Sequence, residues 1–93
     1  RETDALRLEA DRVGLFPYAY PAKRLLAIHN SYPEPVTAVV RCDPTILGVR
    51  PRASLALHGV VTGTSRRVAG DKLAAGVTLT VPPNGVGLWR IVE

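Results

Sequence analysis

The sequence predicts an all-β protein, an antiparallel β-sandwich of about six to eight short strands, with a small barrel as the second choice. Three observations lead there. Val77-Thr-Leu-Thr-Val alternates apolar and polar residues with a period of two, the signature of a strand with one face in a core. Clusters of Pro, Gly, Asn and Asp interrupt the chain at roughly ten-residue intervals, the spacing of strands joined by turns. No segment places apolar residues at helical spacing over three turns, and abundant valine favours strands.

The elements follow in chain order. Ala5-Leu-Arg-Leu-Glu-Ala alternates loosely and offers a first edge strand, or the tail of a preceding element, within an otherwise irregular lead-in over residues 1–22. In Val13-Gly-Leu-Phe-Pro-Tyr-Ala-Tyr-Pro, two prolines and a glycine exclude a helix or a central strand, so an extended, partly packed loop is expected. Lys23 to His29 and Val36 to Cys42 read as two nearly central strands of one hairpin, joined by Asn30-Ser-Tyr-Pro-Glu-Pro. Val36, Ala38 and Val40 face one side, Thr37, Val39 and Arg41 the other. Asp43 to Arg52 is a Pro- and Gly-bearing connection between sheets. Ala53 to Val61 resumes a strand with Leu55 and Leu57 inward. Thr62 to Arg67 makes a polar excursion around Val68, and Gly70-Asp71 makes a turn. Val77, Leu79 and Val81 point into the core, and Pro82-Pro-Asn-Gly reverses the chain into a paired closing strand, Val86 to Val92.

Composition bounds the rest. Ninety-three residues, 46% apolar and 22% charged, make one globular domain spanning 1–93. No run is long enough to span a membrane, and the amino end lacks a secretory signal pattern. A chain that begins at Arg1 and contains no Met reads as a mature, excised or truncated piece of a longer polypeptide. One cysteine, Cys42, excludes an intrachain disulfide and leaves the compartment open, secreted or cytoplasmic. The net charge of +4 comes from Lys and Arg scattered in ones and twos. Arg50 and Arg52 flank Pro51, and Arg66 adjoins Arg67, without the interleaved aromatics of a single-strand nucleic-acid platform. Neither nucleic acid nor membrane is an expected partner.

Residues able to do chemistry are few. His29 and His58 are the only histidines, and neither C-x-x-C nor H-x-x-x-H occurs, so no metal or cofactor is expected. Cys42, at a strand end, reads as a small core residue rather than a nucleophile. Glu2, Asp4, Glu9 and Asp11 crowd the amino end, and the other acids fall in turns or at the terminus, giving no acid/base pair across a groove. Gly85 and Gly87 precede a strand rather than a helix, which excludes a phosphate loop. Phe16, Tyr18 and Tyr20 remain, spaced by two, with Tyr32 in a later turn. In an extended segment the first three rings project to one side, where flat aromatic faces stack on sugars or on a partner's apolar surface.

Two stretches carry a family likeness. They are Val60-Val-Thr-Gly63 with Val81-Pro-Pro-Asn-Gly-Val-Gly-Leu-Trp89, and upstream Leu25-Leu-Ala-Ile-His-Asn30 followed by Glu34-Pro-Val-Thr-Ala-Val. Over Lys23 to Val92 the chain resembles the C-terminal β-sandwich accessory domain of bacterial glycoside hydrolases of α-amylase and α-galactosidase type. Gly59 stands where that turn carries Asp. The resemblance implies a noncatalytic domain, not itself an enzyme, that packs on and stabilises or orients the catalytic domain of a carbohydrate-active enzyme. Two alternatives stay open. One is a carbohydrate-binding module using Phe16, Tyr18, Tyr20 or Tyr32; the other is an immunoglobulin- or fibronectin-like interaction module of a surface protein.

Overall fold

The computed structural model describes residues 8–93, with side chains from Ala10 onward. Its strands are β1 (Leu8–Ala10), β2 (Leu15–Tyr20), β3 (Leu25–Asn30), β4 (Val36–Cys42), β5 (Ser54–Gly59), β6 (Ser65–Ala69), β7 (Val77–Val81) and β8 (Gly85–Val92); one short helix, α1 (Gly70–Ala75), precedes β7. All strand pairs are antiparallel. They form a three-stranded sheet, β1-β4-β7, and a five-stranded sheet, β2-β3-β8-β5-β6. The predicted all-β sandwich is thus realised as two separate sheets rather than a closed barrel.

Strand alternation fixes what each sheet buries. Val36, Ala38, Val40 and Cys42 of β4 join Val77, Leu79 and Val81 of β7 on the inner face of the smaller sheet. Opposite them, Leu26, Ile28, Leu55, Leu57, Trp89 and Ile91 line the larger sheet, and the two sets merge into one aliphatic core. On the outer face of the smaller sheet, Thr37 and Thr80 sit opposite each other and share a hydroxyl hydrogen bond of 2.8 Å, a cross-strand pair suited to water.

Several expectations need correction. The segment Leu15–Tyr20 is a strand, not a loop. All six residues pair with β3, and Pro17 is tolerated because β2 lies at the sheet edge. Strands β3 and β4 are both central, yet they lie in different sheets instead of forming a hairpin. The physical reason is the fully buried Asn30. Its Nδ2 donates to the carbonyls of Glu34 (3.0 Å), Val81 (3.3 Å) and Pro82 (3.1 Å), and its Oδ1 accepts from the Tyr32 N–H at 2.9 Å. One amide thereby ties the β3–β4 crossing to the β7–β8 crossing, while Pro33 and Pro35 lack the N–H donors a hairpin ladder would use. Likewise Pro82-Pro-Asn-Gly leads from one sheet to the other, placing β8 at the centre of the larger sheet.

The polar excursion after Thr62 is edge strand β6, paired with β5 and holding Val68 in the core. Gly70-Asp71 opens α1 rather than a simple turn. Its one core residue, Leu73, is fully buried, and Asp71 lies in the first turn, where the helix dipole favours a carboxylate. Of the first predicted strand, Leu8–Ala10 pairs with β4 as an edge strand; residues 5–7 lie outside the described part, as do Glu2 and Asp4.

Candidate functional site: the outer face of the five-stranded sheet

Side chains alternate along β2, so burying Leu15 and Ala19 turns Phe16, Tyr18 and Tyr20 outward together. The three rings keep 48%, 47% and 48% of their surface exposed, too much for core residues and a common property of contact surfaces. The β2–β3 register sets Phe16 opposite His29, Tyr18 opposite Ala27 and Tyr20 opposite Leu25; β8 then adds Val86, Leu88 and Arg90 to the same rows. Between them lies a shallow groove of about 330 Å³, lined by Phe16, Tyr18, Tyr20, Ala27, His29 and Val86. The Phe16 and His29 rings meet at 6.1 Å between centroids and tilt by 39°, a geometry within the favourable range for aromatic pairs.

Further across the sheet the surface becomes basic. The Tyr20 row continues through Leu25 and Arg90 to His58 and Ser65, and the next row sets Val92 beside Ala56 and Arg67. His58 Nδ1 lies 2.7 Å from Ser65 Oγ, which fixes its ring against the sheet. Arg67 donates to the Ser54 carbonyl at 3.4 Å. At the lower corner Arg50 Nε donates to Glu93 Oε2 at 2.7 Å, and this hydrogen bond holds the Glu93 carboxyl below its ordinary pKa.

Tyr32, grouped with the other rings by composition, lies apart from them. It is half-buried against the core, its hydroxyl donates to the Val13 carbonyl, and the Arg12 guanidinium sits 5.7 Å from the ring centre. Gly14 makes room for it. With φ at +92°, Gly14 adopts a conformation that L residues rarely take, and a Cβ there would come within 2.7 Å of the Tyr32 ring. The sequence reading missed His29 and Val86 as groove residues. The alternation that sends Ile28 inward also sends His29 outward, but only the β2–β3 and β3–β8 registers show which rings they meet.

Cys42 is fully buried in the core, and its thiol pKa is pushed up to about 12 by loss of solvation, with the neighbouring Asp43 charge adding to the effect. A thiol so held stays protonated at neutral pH and is a poor nucleophile. Among the described residues, no group of three or more His, Cys, Asp or Glu is placed to hold a metal ion. No helix of the described residues is long and apolar enough to cross a membrane. No family model, curated protein or solved structure matches the chain.

Proposed function

We propose that the chain is a noncatalytic accessory β-sandwich that packs on, and stabilises or orients, the catalytic domain of a carbohydrate-active enzyme of the glycoside hydrolase type. The observation that carries this reading is the half-exposed row of Phe16, Tyr18 and Tyr20, continued by Val86, on one face of a five-stranded sheet. Contiguous apolar surface on a paired sheet favours association, because covering it removes it from water. The choice of partner rests on the resemblance of the turns and strands over Lys23 to Val92 to hydrolase accessory domains. The test introduces Tyr18→Asp into the parent polypeptide and follows thermal unfolding. The catalytic domain's midpoint should fall by about 4 °C while that of the isolated sandwich stays put. An unchanged catalytic domain would count against the proposal.

A second reading, direct contact with a glycan at this face, is favoured by the groove itself. Three rings along an open edge strand offer flat faces for sugar stacking, and His29 adds a polar group beside them.

A further inference from the structure

We infer that the outer face of the five-stranded sheet is built for an acidic glycan, whose sugar rings stack on Phe16, Tyr18 and Tyr20 while its carboxylates meet Arg90 and Arg67. The inference rests on the second reading above and names the ligand class. Its ground is the distribution of charge. The five strands of this sheet, all among the described residues, contain Arg66, Arg67, Arg90 and two histidines but no Asp or Glu. Arg66 is directed elsewhere, donating to the Thr78 carbonyl of the other sheet at 3.0 Å. Arg67 and Arg90 remain on the outer face, exposed, without a carboxylate partner among the described residues. A neutral glycan would leave that half of the face unused, whereas an anion meets two guanidiniums suited to paired hydrogen bonds with a carboxylate.

The layout also favours a glycan over a single-stranded nucleic acid. A polynucleotide needs a cation track that follows its backbone past each stacked base. Here rings and cations are segregated: the rings share β2, and the arginines stand on β8 and β6. Tyr20 and Arg90, in one row, are separated by β3, so that two inter-strand steps place their backbones about 10 Å apart. A sugar polymer whose carboxylates lie to one side of its stacked rings matches that spacing.

The test titrates the chain with glucuronoxylan, polygalacturonate and alginate, and with each polymer after reduction of its carboxylates to alcohols, while NMR shifts of the Tyr18 and Arg90 resonances are followed. At least one native polymer should bind, and its reduced form should bind about ten-fold more weakly; Arg90→Gln and Tyr18→Ala should each weaken the native polymer by a similar factor. Both side chains are exposed, and an unchanged thermal midpoint confirms that the variants fold. Equal binding of native and reduced polymers overturns the acidic inference but leaves the glycan reading standing. Binding that survives Tyr18→Ala reduces the effect to charge attraction and overturns it. No binding to any polymer, or tighter binding of poly(dT) than of every polysaccharide, overturns both the inference and the glycan reading.

Discussion

The two faces of the five-stranded sheet are made by the same strands from adjacent residues, yet they answer to different demands. On β3, Ile28 is fully buried and its neighbour His29 is exposed; on β2, Leu15 and Ala19 face the core while Phe16, Tyr18 and Tyr20 face out. The buried part of the inner face is aliphatic apart from Trp89 and Asn30, and Arg66 stands at its exposed edge. The outer face carries the aromatic groove and the arginines. One sheet therefore separates a buried aliphatic face from an exposed aromatic and basic one by strand parity alone.

The sharpest way to break this contrast is to truncate neighbours. Ile28→Ala should cost about 4 kcal/mol, because it removes buried methyl groups and leaves a cavity in a packed core. His29→Ala, one residue away, should change stability by less than about 0.5 kcal/mol. Urea unfolding of both variants measures the difference. Comparable losses at the two positions would mean that the outer face also contributes to folding.

Asn30 tests the inner face from its polar side. Asn30→Ala removes the partner of three carbonyls and of the Tyr32 N–H at a side-chain position that is fully buried, so a loss of about 3 kcal/mol is expected. Because the amide joins both crossings, hydrogen exchange should quicken near Tyr32 and Val81 before it quickens in β5. Uniform exchange across the sheet would show that Asn30 acts only as a filler.

The parity of the chain was legible in the sequence to the extent that parity is a local property. Val77, Leu79 and Val81, Leu55 and Leu57, and the common side of Phe16, Tyr18 and Tyr20 all followed from a period of two. Pairing was less legible. Alternation says which face of a strand is buried but not which sheet holds the strand, so β3 and β4 read as a hairpin although Asn30 sends them to opposite layers. Helix α1 escaped notice because Leu73, its one core side chain, gives no periodicity. The groove was half visible: its rings lie close together in sequence, but His29, Val86, Arg90 and Arg67 reach the face only through register.

A pH-dependent loss, smaller than those at Ile28 and Asn30, lies in the core of the other sheet. Cys42 is buried there, and its folded pKa of about 12 exceeds the ordinary 9.0. Below pH 9 the thiol is protonated in both folded and unfolded chains, so the stabilisation from keeping it neutral is fully present. As pH rises from 9 towards 12, the unfolded thiol gives up its proton while the folded one keeps it, and stability is lost across that window. At pH 10 the loss should be about 1 kcal/mol. Tyrosines and lysines titrate in the same range, so the useful quantity is the gap between the unfolding free energies of the wild type and Cys42→Ala. That gap should shift against the wild type by this amount between pH 8 and pH 10. Parallel curves would place the thiol in contact with water and would remove Cys42 from the set of inner-face residues that folding keeps dry.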